Sequence, residues 1–281
     1  VAGGTENMSA QPFMDFSARQ GVTLGNRTVV DGTNVLITDP FSGEPMGITA
    51  ENVAERFDVS REAQDAFALE SQRRAQEALA SGAVAAEITP VTISSRRGDV
   101  VVDVDEHPRA GLTLEKLAGM RPVFKKDGTV TAGNASGIND GAAMLVLTRL
   151  SVAKERGLTP LAELVDFTKV GIEPGIMGYA PKPAIEKILE RNGLSKDDIG
   201  WYEINEAFAA QALPVARDLD LDPAKVNPLG GAIAWGHPIG ATGAIISMRT
   251  IENIRKNDLE WGLASMCIGG GQAVASLWRR L

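Results

Sequence analysis

Residues 227–243 read NPLGGAIAWGHPIGATG and contain five glycines together with His237, one of only two histidines in the chain. Glycine loses more conformational freedom on folding than any other residue. Such a density therefore indicates a backbone that takes positive φ or approaches a ligand closely. A histidine fixed between Gly236 and Pro238 in this loop is a candidate catalytic base. A purely structural role is the alternative for a single loop histidine.

The only cysteine of the chain is Cys267, in the sequence SMCIGGG of residues 265–271. A thiol followed by three glycines suggests a sulfur close to backbone N–H groups, which would lower the thiol pKa. The alternative is a small buried hydrophobe, the commonest role of a lone cysteine. One cysteine excludes an intrachain disulfide, and one cysteine with two histidines predicts no metal site.

Composition limits the classes of protein to consider. The 281 residues are 44% hydrophobic and 23% charged, which is ordinary for a globular protein with two domains, or one domain with a large insertion. The net charge of −8 argues against a nucleic-acid binder, although a local basic patch can still bind a small anion. The sequence shows no apolar run of about 18 residues and no signal peptide. We therefore predict no membrane span and a cytoplasmic location.

The pattern of apolar residues predicts an α/β fold with helices on the faces of a sheet. Ser60 followed by Gln64 indicates the start of a helix over 61–79 that ends near Gly82. The apolar run 141–150 predicts a buried strand. Site residues of this fold class lie at strand ends, as Asn205 does here. Further strands are predicted at 161–170, 199–204, 262–266 and 273–278, and further helices at 182–192, 208–217 and 244–257.

Six stretches, distributed over nearly the whole chain, carry a family resemblance. They read AGGTENMS (2–9), MGITAEN (46–52), TAGNASGINDG (131–141), NEAF (205–208), GHP (236–238) and CIG (267–269). In this order they resemble the motifs of the thiolases, the acyl-CoA:acetyl-CoA C-acyltransferases. The last three resemble the C-terminal active-site motifs of that family.

The resemblance implies a layered α-β-α-β-α fold built from two similar βαβαβαββ halves, with a loop domain inserted in the first half. Residues 1–9 then form a remnant of the N-terminal domain, 10–139 a CoA-binding loop domain, 140–157 the returning part of the N-terminal domain, and 158–281 the C-terminal domain. The family also carries an upstream segment of roughly a hundred residues, by typical domain size, which includes the nucleophilic cysteine. We therefore expect the N-terminal half to be incomplete here.

The implied chemistry is thiolytic cleavage of 3-ketoacyl-CoA, or the reverse Claisen condensation of two acetyl-CoA molecules. It needs a nucleophile that holds the acyl group, a base that moves the α-proton, and donors for the enolate and oxyanion. The resemblance assigns the base to Cys267 and proton transfer and oxygen binding to His237. By the same resemblance, Asn205 binds a water or the thioester oxygen. The backbone N–H of Gly269 is a hydrogen-bond donor of the oxyanion hole. With one cysteine, this chain alone is expected to be inactive in thiolysis.

Coenzyme A and acyl-CoA are the implied substrates, and no tightly bound cofactor is expected. Arg109 would bind a phosphate through its planar fork of donors, with a surface salt bridge as the alternative. Ser136 would donate to an amide of the pantetheine arm, with a local backbone cap as the alternative. His107 is interpreted as a solvated loop histidine. The remaining implied contacts with the ligand are Met46, Ala132, Met177 and Phe208.

Several features separate members of the family. Pro45 occupies a position where short-chain biosynthetic members usually carry a histidine, and residues 203–205 and 227–229 resemble the degradative 3-ketoacyl-CoA enzymes. The triple glycine at 269–271 instead resembles the biosynthetic acetoacetyl-CoA enzymes. The balance of these features slightly favours a degradative enzyme of fatty acid β-oxidation. The resemblance also implies a homodimer or homotetramer.

Two alternatives come from other classes of protein. Decarboxylating ketoacyl synthases share the architecture but commonly use two histidines, whereas Cys267 occupies one of those positions here. A non-catalytic lipid- or CoA-binding protein on the same scaffold is the second. The presence of Asn205, His237 and Cys267 argues against it, and the lack of a second cysteine argues for it.

Overall fold

The computed structural model describes residues 1–281. Ten strands and nine α-helices follow one another along the chain. The strands are β1 (Ala2–Asn7), β2 (Phe13–Met14), β3 (Val30–Asp31), β4 (Val91–Ile93), β5 (Val100–Val102), β6 (Asp140–Leu145), β7 (Ala162–Gly171), β8 (Ile199–Ile204), β9 (Trp261–Ile268) and β10 (Gln272–Arg280). The helices are α1 (Gly32–Leu36), α2 (Met46–Arg56), α3 (Arg61–Ser81), α4 (Leu114–Ala118), α5 (Leu150–Glu155), α6 (Pro181–Asn192), α7 (Ala209–Asp218), α8 (Ala232–Trp235) and α9 (Ile239–Lys256).

The largest sheet has the strand order β7-β10-β9-β8. Strand β8 runs parallel to β9, and β10 runs antiparallel to both of its neighbours. One face packs on α6 and α7 through the main core, to which Ile185, Ile188 and Val215 contribute. The other face packs on α9, where Ile254 lies against Trp201. The α/β layers predicted for this half of the chain are therefore confirmed.

A second, two-stranded sheet lies on the far side of α9. Strands β1 and β6 pair antiparallel, from Ala2 opposite Leu145 to Asn7 opposite Asp140. The contact with α9 is so close that it requires glycine, because a Cβ atom on Gly4 would lie 1.8 Å from the carbonyl oxygen of Gly240. Helix α9 is thus enclosed between two sheets, which extends the layers to α-β-α-β.

Two expectations about these elements are wrong. The strand predicted as buried over 141–150 ends at Leu145, only Ala143 within it is buried, and Val146 is 80% exposed. Apolar composition does not reveal whether a neighbouring layer covers both faces of a strand. Helix α9 begins at Ile239 rather than at residue 244, because Gly240 and Gly243 take helical backbone where the helix packs closely on its neighbours.

Residues 8–139 carry α1 to α4 and the β4–β5 hairpin. Helix α3 begins as predicted, with the Ser60 hydroxyl accepting from the Ala63 N–H. It ends at Gly82, whose φ of 71° is the left-handed conformation that favours glycine. The carboxylate of Glu51 in α2 accepts hydrogen bonds from the N–H groups of Thr129 and Val130. The boundaries at residues 9, 139 and 157 stay a prediction.

None of the helices combines the length and the apolar character that crossing a bilayer requires. No group of three or more His, Cys, Asp and Glu side chains is placed to hold a metal ion.

Candidate active site

Asn205 and Cys267 lie at the same edge of the large sheet because their strands are parallel neighbours. The N–H of Asn205 donates to the carbonyl of Ser265 at 3.0 Å, and Ile204 pairs with Ser265. Cys267 is two residues further along β9. Both side chains are buried, with 2% of Asn205 and 7% of Cys267 exposed. The carboxyl ends of parallel strands are the usual location of sites in α/β sheets.

The glycine-rich loop brings His237 to this edge. Gly236 has a φ of 96°, a backbone conformation that other residues rarely adopt, and the N–H of His237 donates to Asn139 Oδ1 at 2.9 Å. The carboxylate of Glu206 connects this loop to helix α3. It accepts a hydrogen bond from Ser71 Oγ in α3 at 2.6 Å and one from Asn227 Nδ2, at the start of the loop, at 2.8 Å. Burial raises the pKa of Glu206. The position of the imidazole is therefore fixed by a polar network and not by apolar packing alone.

The imidazole of His237 contacts a polar side chain at each ring nitrogen. Its Nε2 lies 3.3 Å from Asn205 Nδ2, and its Nδ1 lies 2.7 Å from Thr242 Oγ1. Burial disfavours the charged ring and lowers the pKa of His237 to about 4. At neutral pH the ring is thus uncharged, and it can accept a proton.

Cys267 lies in a small apolar cluster. Its neighbours are Met177 and Ala207, with Met46 and Phe208 at the partly exposed side. Burial raises the pKa of the thiol to about 11, and a backbone hydrogen bond offsets this only in part. The expectation that nearby N–H groups lower this pKa is therefore wrong. At neutral pH the Cys267 thiol and the His237 imidazole are therefore both uncharged.

Glycines 269–271 form the turn between β9 and β10. Gly270 and Gly271 have φ values of 75° and 85°, and a Cβ on Gly271 would lie 2.3 Å from the carbonyl of Ile172. A Cβ on Gly269 would lie 2.9 Å from Met46 Cε, so Gly269 borders the same cluster as Cys267. The oxyanion-hole role of the Gly269 N–H stays a prediction.

The structure gathers part of the expected CoA contacts. Met46, Met177 and Phe208 surround Cys267. The N–H of Ser136 donates to the carbonyl of Ala207 at 2.9 Å, which places Ser136 beside Phe208. Ala132 is exposed in the same loop, and the guanidinium of Arg109 is exposed without a hydrogen bond or ion pair. The ligand contacts of all six residues stay predictions.

Sequence reasoning missed three residues that support the site. Asn139 and Thr242 bond to His237, although both belong to motifs that the sequence had singled out. His107 is the third, and its interpretation as a solvated histidine is wrong. Its Nδ1 lies 2.8 Å from the carbonyl of Ala234, so the ring is docked against the back of the His237 loop. A polar residue inside a glycine-rich motif is the signal that could have found the first two.

Family models match both halves of the chain. The thiolase N-terminal domain matches residues 1–151, and the thiolase C-terminal domain matches residues 158–280. This chain belongs to the thiolase family. The resemblance found in the sequence is thereby confirmed.

Individual relatives agree with the family assignment. The β-ketothiolase BktB of Cupriavidus necator is 47% identical, with 100% of this chain and 72% of that protein covered. A probable acetyl-CoA acyltransferase of Staphylococcus aureus is 50% identical, with 99% of this chain and 71% of that protein covered. The chain thus spans somewhat under three quarters of the length of these relatives.

Solved thiolase structures confirm the fold. The acetyl-CoA acetyltransferase of Bacillus anthracis superposes with a TM-score of 0.96 at 47% identity, covering 100% of this chain and 71% of that one. Human mitochondrial 3-ketoacyl-CoA thiolase in complex with CoA gives a TM-score of 0.95 at 42% identity, covering 100% and 70%.

Proposed function

We propose that this thiolase acts on CoA thioesters as an acetyl-CoA C-acyltransferase or C-acetyltransferase, through a site formed by Asn205, His237 and Cys267. The observation that carries the proposal is the contact between Asn205 Nδ2 and His237 Nε2. Asn205 directly follows β8, and Cys267 lies one residue before the end of the parallel neighbour β9. The names of the relatives, and the CoA complex of the human thiolase, support the same substrate class.

Each side chain has a distinct task in this proposal. The thiolate form of Cys267, which arises when the thiol loses its proton to solvent, takes the α-proton of the thioester and gives it back in the reverse direction. The amide N–H of Asn205 donates to the oxygen on which negative charge develops, directly or through a water. The uncharged imidazole of His237 accepts a proton from a thiol and, once protonated, donates to the thioester oxygen.

The CoA part of the ligand is assigned to the loop domain. Arg109 has a free guanidinium, which suits a phosphate group, and Ser136 lies beside Phe208 near the apolar cluster. In this proposal Arg109 binds a phosphate of the nucleotide and Ser136 binds the pantetheine arm. The other ligand contacts are Met46, Ala132, Met177 and Phe208.

The 281-residue chain by itself is expected to show no thiolysis of acetoacetyl-CoA. Thiolysis in this scheme needs one thiol that keeps the acyl group and a second that moves the proton, and the chain has one cysteine. Loss of the acetoacetyl-CoA absorbance in the presence of free CoA measures the reaction. Steady turnover by the purified chain above a no-enzyme control would contradict the requirement for two different thiols.

Chain length is the finer question, and we propose a degradative thiolase that accepts 3-ketoacyl chains longer than acetoacetyl. Support comes from Pro45, from residues 203–205 and 227–229, and from two flexible methionines, Met46 and Met177, beside Cys267. Calorimetry should give 3-ketooctanoyl-CoA a dissociation constant at least about tenfold lower than acetoacetyl-CoA, since each buried CH₂ contributes about 0.8 kcal/mol. Tighter binding of acetoacetyl-CoA would favour a biosynthetic enzyme.

A further inference from the structure

His237 and Thr242 form a closed pair at the start of α9. The hydroxyl of Thr242 lies 2.7 Å from His237 Nδ1 and 2.9 Å from the carbonyl oxygen of Pro238. Thr242 is buried, and a bond from a threonine hydroxyl to the carbonyl four residues earlier is a common arrangement in helices. Thr242 Oγ1 is the only hydrogen-bond partner of Nδ1, so this hydroxyl determines whether Nδ1 donates or accepts.

The hydrogen bonds of Thr242 show whether His237 Nδ1 or Thr242 Oγ1 is the donor in their contact. A hydroxyl has one hydrogen, and a carbonyl oxygen can only accept. Since the Thr242 hydrogen points to the Pro238 carbonyl, the oxygen must accept the proton of His237 Nδ1–H. At the other ring nitrogen, Asn205 Nδ2 lies towards Nε2, but the buried Asn205 Oδ1 has no hydrogen-bond partner. A turned amide would accept from an Nε2–H equally well, so Thr242 is the group that decides the tautomer.

We propose that Thr242 is a positioning residue that holds the uncharged ring of His237 in its Nδ1–H tautomer, so that the Nε2 lone pair faces Asn205. Nε2 is then able to accept a proton in every molecule, without a tautomer change before each cycle. The catalytic meaning rests on the proposed function, whereas the tautomer itself is a property of the free protein. The two can therefore fail separately.

The chain offers a direct spectroscopic test, because it contains only two histidines. Long-range proton–nitrogen correlation spectra of the uniformly ¹⁵N-labelled chain distinguish the two tautomers of each ring. The measurement is made without substrate at about pH 7.5, above the reference histidine pKa of about 6.5. A His237→Gln variant assigns the signals. His107 is an internal reference, since its Nδ1 faces the Ala234 carbonyl, an acceptor that requires Nδ1–H.

The expected result is the Nδ1–H pattern for His237 in the unchanged chain and in Thr242→Ser, which keeps the hydroxyl. Thr242→Val removes the hydroxyl at nearly the same volume. It should shift His237 towards the Nε2–H pattern that free imidazole side chains prefer, while the His107 signals stay in place and report an intact loop. An Nε2–H pattern for His237 in the unchanged chain would overturn the proposal. So would an unaltered His237 pattern in Thr242→Val. If Thr242→Val fails to fold, the unchanged chain and Thr242→Ser still decide the assignment.

Discussion

Replacement of Cys267 by alanine is expected to slow the exchange of the acetyl-CoA α-protons with solvent about 100- to 10,000-fold. Positioned acid–base groups contribute about 10²- to 10⁴-fold. Proton exchange isolates the base from the acyl-accepting nucleophile, so the 281-residue chain can be assayed directly. Deuterium incorporation into the acetyl methyl group, followed by mass spectrometry in D₂O, measures it.

The pH dependence of the same reaction follows from the raised pKa of the thiol. Because burial raises the Cys267 pKa to about 11, the thiolate fraction is small at neutral pH and grows about tenfold per pH unit up to that value. The exchange rate should rise with the same slope. Cys267→Ser is the matched control, since it keeps the size of the side chain but is far less acidic, and it should be as slow as the alanine variant. A serine variant that retains the rate would show that another group removes the proton.

Asn205→Ala is expected to lower the same exchange rate about 100- to 1000-fold, as the loss of one oxyanion donor does elsewhere. The side-chain N–H of Asn205 is the donor nearest to His237 Nε2, and alanine cannot stabilise the enolate oxygen. Affinity for acetyl-CoA, measured by calorimetry, should change by less than about threefold, because the donor acts mainly when charge develops.

The matched control for this variant is Asn257→Ala. Asn257 is an exposed asparagine that caps the far end of α9, where its side chain bonds to the Asn253 carbonyl. Its replacement should leave exchange unchanged. Equal losses in both asparagine variants would indicate general destabilisation, and an unimpaired Asn205→Ala would exclude Asn205 from the reaction.

The contact between Asn205 and His237, and the position of Cys267 on the neighbouring strand, could be predicted from sequence because simple rules place each residue. Asn205 directly follows β8 and Cys267 lies near the end of β9, and the carboxyl ends of parallel strands meet at one edge of a sheet. The glycines around His237 indicated a tight loop, which Gly236 confirms with its positive φ. The family motifs predict one common site for all three residues, and this stays a prediction.

The properties that sequence did not predict all depend on neighbours that are distant in the chain. The pKa of Cys267 is raised because Met177 and Ala207 exclude water from it, which no local pattern near residue 267 reports. His107 looked solvated beside Pro108, yet it docks on a carbonyl 127 residues away. Strand β6 has an apolar sequence without a layer that covers both of its faces.

The central claim is that one site, formed by Asn205, His237 and Cys267, removes an α-proton from a CoA thioester. The most direct measurement is deuterium exchange of acetyl-CoA by the unchanged 281-residue chain, at a protein concentration where calorimetry shows the thioester bound. We predict deuterium in the acetyl methyl group well above the rate in buffer, with that excess lost in Cys267→Ala. A chain that binds acetyl-CoA but leaves its methyl protons exchanging at the buffer rate would contradict the account.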